Sequence, residues 1–584
     1  MINYQITLYP KEHVYQIQLT FTPCQSQYEL KLPTWIPGSY MLREFSKNII
    51  SLTAMQNKQS IKCVQVNKNT WCLSELSLAT TVVVEYKVYA YDLGIRSAYL
   101  DNMRGYFNSS SLCLYVVGLE ATSQHLTLHI PETWQIATSL TRLSTIEYTA
   151  ANYTELIDCP VELGEFIRLE FMVKNVPHYL ILSGSAGQDF DSKRLLDDMT
   201  RICTTQVDLF GGVSPCSSYT FLLYLGGEVF TGLEHANSSA LMAPYFALPL
   251  QHQKQRSEDY LKLLGLISHE YFHLWNVKRI KPQVFNPYNL EVENYTKLLW
   301  WFEGITSYYD DLMLYCAGIL DKHQYLQIIV DNINNVYKFG GVKQQSLVNS
   351  SLTAWIKYYR PDENSSNSNV SYYIKGGLVG MCLDLLIRQQ TNGQKSLDTV
   401  LLGLYQKWQT DKLGVGEDEI PVLIKCYTEC DLTLEINRFV NSCEDLPLAK
   451  LFEQFGIKLH LVPEQLYSDS GKVIKNETEL PTLVKLDLGC KLVKDTLGYK
   501  VVNVYSGTVG ERAALAANDV IVAINNLKLV NLEKMIGLYK AGDKLYLTVF
   551  RQERLLNLEL QLASAGVEIA YLQIIDEQQL ANWI

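Results

Sequence analysis

The stretch SHEYFHLWNVKRIKP, Ser268 to Pro282, sets two histidines four residues apart with a glutamate directly after the first. It lies in SEDYLKLLGLISHEYFHLWNV, Ser257 to Val277, where a capping serine precedes a long apolar stripe, and this predicts a helix. On a helix, positions i and i+4 share a face one turn apart, so His269 and His273 can direct ring nitrogens at one ion. Glu270 is rotated about 100° from His269 and stands beside that ion rather than on it. The offset suits a base that deprotonates a water on the metal. Zinc with three protein ligands keeps one position open and brings the pKa of its water to about 7. The bland alternative, a helix that happens to carry two histidines, supplies no third ligand.

The carboxylates downstream that could complete such a site are Glu291, Glu293 and Glu303. Glu291 and Glu293 fall in the polar stretch NPYNLEVENYTK and read as solvated. Glu303 falls in LLWWFEGITSYYDDL, an apolar helical stretch in which an unpaired carboxylate is costly to bury. A metal removes that cost, and Glu303 is the choice.

Length and composition set the frame for this site. At 584 residues the chain exceeds one core. Its net charge of −11 gives no basic footprint for nucleic acid. No apolar run reaches the roughly eighteen residues of a membrane span, and the N-terminal MINYQITLYPKEHVYQ does not read as a signal peptide. Thirteen cysteines, odd in number and without a Cys-x-x-Cys pair, fit reduced thiols and a cytoplasmic location.

Residues 1–165 show period-two patterning, as in YQIQLTF, and predict an antiparallel β domain; TVVVEYKVYAYD and LCLYVVGL are further strand candidates. Residues 166–455 mix strands (FIRLEFMV, HYLILSG, YTFLLYLGG) with a helix near DSKRLLDDMTRICTTQVDLFG, then turn helical. LLWWFEGITSYYDDLMLYCAG and GGLVGMCLDLLIRQQ continue that helical reading, while PDENSSNSNVS reads as a surface loop. Short strands return over 456–584. The fold class is therefore multidomain α+β. GSAGQDF, from Gly184, is a lone glycine-rich turn rather than a phosphate loop.

The zinc pattern followed by W-x-E-G-x-T-x-Y-Y, here Trp301 to Tyr309, resembles the gluzincin metallopeptidases, and more narrowly the glycyl aminopeptidase family, whose members carry a PDZ domain. Twenty-nine residues separate His273 from Glu303, whereas the shorter spacing of the related aminopeptidase N group would land on Val292. LPTWIPGSYMLREF, YDLGIRSAYLDNMRGYFNSSSL, TGLEHANSS and YYIKGGLVGMCLDLLIR resemble further parts of the same family in the same order.

The resemblance implies a thermolysin-like catalytic domain that binds one zinc ion through His269, His273 and Glu303, with Glu270 as the base. It implies that Tyr373, rather than its neighbour Tyr372, donates a hydrogen bond to the oxyanion of the tetrahedral intermediate. It implies that Gly232, Leu233 and Glu234 bind substrate, Glu234 taking the free ammonium of a peptide and Gly232 letting the backbone approach. His235 has no counterpart in the aminopeptidase N motif. Asn276, Lys278 and Arg279 either orient ligands, contact substrate or stabilise the helix end. A preference for N-terminal glycine or alanine is implied as well.

GYKVVNVYSGTVGERAALAANDVIVAINNLKL resembles a PDZ domain, with a helix through Ala513 to Ala516, Asn518 in place of the usual glycine, and a carboxylate-binding loop near Leu488 to Leu492. Such a module adds an extended peptide to a sheet edge. The expected function is zinc-dependent aminopeptidase action on peptides with a free N-terminus. A thermolysin-like endopeptidase, which needs no amine anchor, and a PDZ-containing adaptor with a vestigial zinc site are the alternatives.

Overall fold

The structure is a computed structural model describing all residues except 185–188, 465–469, 482–484 and 567. The glycine-rich turn after Gly184 lies outside the described residues. Two compact units are formed: residues 1–294 with 404–415, and residues 295–403 with 416–584.

The first unit opens with the expected β domain. Strands β1 (Ile2–Tyr9), β2 (Val14–Phe21) and β3 (Val82–Tyr89) are adjacent in an eight-stranded sheet. β2 and β3 pair antiparallel with Ile17 opposite Tyr86 and Leu19 opposite Val84. Alternate residues of β2 face the core, as its polar–apolar alternation dictates. The run LCLYVVGL is buried from Leu112 to Val116 but extended as a strand only over Tyr115–Val116. A continuous apolar run marks burial and carries no period, so it does not distinguish a strand from packed irregular backbone.

Behind this domain lies a five-stranded sheet in the order β4 (Ile167–Val173), β5 (Val176–Gly184), β6 (Tyr219–Leu225), β8 (Ser238–Ala243), β7 (Thr231–Glu234). β5, β6 and β8 run parallel, and β7 closes the sheet antiparallel to β8, so β7 is an edge strand. Two helices accompany the sheet, α1 (Ser192–Leu209) and α2 (Glu258–Phe272). The Gln206 side chain on α1 donates to the Ser268 carbonyl of α2 at 2.9 Å, and Phe210 stacks on Trp275 with ring centres 4.5 Å apart. α2 starts where expected, the Ser257 hydroxyl accepting from the Tyr260 N–H. It stops at Phe272 rather than running on to Val277, with His273 as its last, capping residue.

The second unit holds the other helices expected from the sequence. The stretch from Leu298 to Gly318 is two helices rather than one, α3 (Leu299–Phe302) and α4 (Gly304–Cys316), with Glu303 between them. α5 spans Ile374–Gln390. The polar loop at 361–371 contains one short helical turn, Ser365–Ser368. The C-terminal β module includes β9 (Cys490–Lys494), β10 (Tyr499–Val504) and α6 (Leu532–Ile536), with β9 at the end of its sheet. Its first helical turn lies at Val509–Arg512, four residues before the expected position, because Ala514 takes a left-handed conformation and ends it. Asn518 is left-handed at φ 71°, the conformation its side chain tolerates. Among the described residues, no helix is long and apolar enough to cross a membrane.

Candidate active site

The two zinc-motif imidazoles stand at the C-terminal end of α2. His273 is buried, and its Nδ1 donates to the Asn276 carbonyl at 2.7 Å, which leaves Nε2 as the lone-pair nitrogen. That Nε2 faces the His269 Nε2 at 3.1 Å. Two ligands about 2.05 Å from one tetrahedral zinc have nitrogens roughly 3.3 Å apart, so the pair has the spacing of a metal chelate. Asn276 is fully buried, and its expected orienting role is carried by its main-chain oxygen.

The edge strand β7 supplies the neighbouring wall. His235 donates its N–H to Ser238 O at 2.9 Å across the hairpin turn. Hydrogen-bonded and non-bonded pairs alternate along an antiparallel ladder. With Gly232 opposite Leu241 and Glu234 opposite Ser239, these two residues therefore turn their N–H and C=O groups to the free edge. They also share a sheet face, and that face meets α2. A methyl group on Gly232 would lie 2.5 Å from the Glu270 Cγ and closer still to its carboxyl group. Glycine is thus required at 232 because the Glu270 side chain occupies the space where a side chain would be. Glu234, Glu270 and His273, all buried, each offer an atom within 4.8 Å of the others. Leu233 points the opposite way: its side chain is fully buried in the core of the β domain. Contrary to the sequence expectation for Leu233, neither its side chain nor its main chain is offered to the open edge.

His235, which the sequence left without a role, bonds through Nδ1 to Asp158 at 3.1 Å. Asp158 also accepts from the Ala236 N–H at 3.0 Å and the Lys278 Nζ at 2.7 Å. Burial alone would raise the Asp158 pKa, but Lys278 and His235 outweigh it and hold the carboxylate well below its usual range. Arg279 donates to Ala236 O at 2.6 Å and Leu274 O at 2.8 Å. Lys278 and Arg279 thereby tie the zinc-motif extension to the turn after β7. Asp158 gave no sequence signal, since it lies 120 residues from Lys278.

In the second unit, Glu303 is buried at the break between α3 and α4. The break is shaped by two glycines: a methyl on Gly304 would sit 2.6 Å from the Gly376 Cα, so α4 and the start of α5 touch through bare backbone. This contact places Tyr373, the residue preceding α5, beside Glu303. Burial first, and then the Glu303 carboxylate, raise the Tyr373 pKa well above its ordinary value, so the hydroxyl stays protonated and able to donate. Tyr372 is fully buried and stacks on Tyr373 with ring centres 4.7 Å apart.

Comparison with known proteins places this arrangement in a family. The Peptidase M61 N-terminal domain matches residues 3–165, the M61 glycyl aminopeptidase domain residues 262–379, and a PDZ domain residues 486–562. A crystal structure of an aminopeptidase N family protein from Idiomarina loihiensis is 36% identical, covers 100% of both chains, and superposes with a TM-score of 0.95. The chain belongs to the M61 glycyl aminopeptidase family. It is a metallopeptidase, and the M61 match spans both the histidine pair and Glu303. An M1 zinc metallopeptidase from Deinococcus radiodurans is similar at 13% identity, over 76% of this chain and 94% of that one, with a TM-score of 0.46. A variant of the Deinococcus enzyme bound to a Tyr-Ser-Ala substrate gives a TM-score of 0.48, also at 13% identity, over 76% of this chain and 94% of that one. No curated protein sequence matches.

The M61 chain also has a cleft of about 830 Å³ on its PDZ module, lined by Leu492 of edge strand β9, Leu532 of α6, and Phe339. Leu488, in the expected carboxylate-binding loop, is buried in the module's core, and the neighbouring Gly489 amide donates to the Asp487 carboxylate at 2.9 Å.

Proposed function

We propose that this M61 peptidase is a zinc aminopeptidase that removes single residues, preferentially glycine or alanine, from peptides with a free N-terminus. The observation that carries the reading is the convergence of the Glu234 and Glu270 carboxylates beside His273, whose Nε2 meets that of His269 at 3.1 Å. A base next to a histidine pair is common to peptidases of this chemistry. A second buried carboxylate beside it needs a cation, and a peptide's terminal ammonium is one.

One zinc ion would be held by His269, His273 and Glu303, and when bound it supplies a Lewis acid for the scissile carbonyl and an acidified water. The chain's own groups do the rest. Glu234 binds the terminal ammonium and sets the register, so that the first peptide bond lies over Glu270. The Gly232 N–H, turned to the open edge, receives the substrate backbone as an added strand. Glu270 takes a proton from the attacking water and delivers it to the leaving amine. The Tyr373 hydroxyl donates to the developing oxyanion. The cytoplasm is the proposed location, a reading supported by thirteen cysteines that are all free thiols. The PDZ module is proposed to take an extended peptide along β9.

The test is metal analysis of the purified protein together with hydrolysis of glycyl and alanyl arylamides. About one zinc per chain, activity abolished by a chelator and restored by zinc, and no cleavage of N-acetylated substrates support the proposal. Cleavage of N-acetylated peptides at internal bonds would establish the endopeptidase instead.

A further inference from the structure

The β domain at the N-terminus reaches into the amine site, and its contacts there go beyond what holding two domains together requires. Gly38, in the PGSY turn of that domain, has a left-handed φ of 88°. A methyl group on it would lie 2.6 Å from both carboxylate oxygens of Glu234 and 2.7 Å from the Leu233 Cδ1. Bare backbone therefore lies directly against the carboxylate at the end of β7. Arg96, from the GIRSAY stretch of the same domain, donates to the Thr231 Oγ1 at 2.9 Å and the Gly232 carbonyl at 2.7 Å. That carbonyl is one of the groups facing the free edge. Asp158 holds the turn just past Glu234 through His235 and Ala236. The edge strand is thus gripped at both ends, and its acidic side chain is covered by a turn in which only glycine fits.

We propose that the N-terminal β domain sets the exopeptidase register of this enzyme. In this assignment the Gly38 turn closes the site behind Glu234, so that no residue can precede the one whose ammonium Glu234 binds. Arg96 fixes the edge strand that presents Glu234 and occupies one lone pair of the carbonyl that a longer strand would use. Both are positioning residues, since they act through Glu234 and Gly232. A substrate antiparallel to β7 has its N-terminus at the Glu234 end, where the Gly38 turn stands. This inference rests on the aminopeptidase reading and adds to it the part of the fold that limits substrate length.

The experiment compares Gly38→Ala and Arg96→Gln with the wild-type enzyme in zinc content, kcat and KM on alanyl arylamide. It also measures binding of Ala-Phe-amide and N-acetyl-Ala-Phe-amide to the same variants carrying Glu270→Gln, by calorimetry. Displacing a charge-assisted contact weakens it by roughly ten- to a hundredfold. Gly38→Ala is therefore expected to raise KM and the Kd of the free-amine peptide by that factor, with zinc retained and kcat within about threefold. Arg96→Gln, which leaves no left-handed strain to confuse the result, is expected to raise KM in the same direction and to narrow the preference for the free amine over the acetylated peptide. Wild-type KM and Kd in both variants would overturn the proposal. Equal losses of kcat, zinc and thermal stability, with unchanged selectivity between the two peptides, would also overturn it by showing a merely structural role. Absence of zinc and of any hydrolysis in the wild-type enzyme is a different outcome: it removes the aminopeptidase reading itself, and the register proposal with it.

Discussion

Replacing Gly232 with alanine tests how closely Glu270, the proposed base, is seated. The added methyl would sit 2.5 Å from the Glu270 Cγ and nearer still to its carboxyl group. Two carbon atoms rest about 3.5 Å apart at the least, so either Glu270 or strand β7 must give by about 1 Å. β7 is pinned by Arg96 at Thr231 and Gly232 and by Asp158 at the following turn, so the side chain is the part that yields. A misplacement of about 1 Å costs on the order of a hundredfold in rate, and loss of the base altogether about 10² to 10⁴. Gly232→Ala should therefore lower kcat on alanyl arylamide roughly a hundredfold. The variant should keep its zinc, because the three atoms nearest the added methyl all belong to Glu270. Glu270→Gln in the same assay gives the floor, and adding it to Gly232→Ala should cost little more. Retention of kcat within about threefold, with the variant folded and loaded, would refute the seating of Glu270 against the edge strand.

Other consequences follow from the buried ionisable groups. Asp158→Asn removes the partner of a nearly buried Lys278 and should cost about 3 kcal/mol at neutral pH, read from urea unfolding. Because the folded-state pKa of Asp158 is depressed, its contribution is present above pH ~4 and lost as pH falls further, so the gap between wild type and variant should shrink in acid; a gap independent of pH would contradict this. His178 is buried, and burial, only partly opposed by its bond to the Val176 carbonyl, lowers its pKa from 6.5 to about 4. Its neutral form is favoured in the fold, so about 3 kcal/mol of stability should disappear as pH falls from about 6.5 to 4, and His178→Phe should flatten that limb of the unfolding curve.

What could be read in the sequence was mostly local. The i, i+4 histidines and the alternation of β2 are patterns within one element, and the structure forms both elements. Glu303 could be chosen for its apolar surroundings, yet the break that isolates it between α3 and α4 depends on Gly304 meeting Gly376, 72 positions along the chain. The same holds around Glu234. Arg96 lies 136 residues before the carbonyl it caps, and nothing in GIRSAY announces that contact. Leu233 shows the limit in the other direction, because a substrate-edge motif read as a string takes in each neighbour, whereas a strand alternates and sends every second side chain to the core.

The most direct test is a crystal structure of the protein grown with zinc, with anomalous diffraction collected on both sides of the zinc edge. The account predicts a single strong anomalous peak about 2.0–2.1 Å from the Nε2 atoms of His269 and His273 and from a carboxylate oxygen of Glu303, and no peak in a Glu303→Ala crystal. A fully loaded peak ligated by other residues, or no peak at the histidine pair, would contradict it.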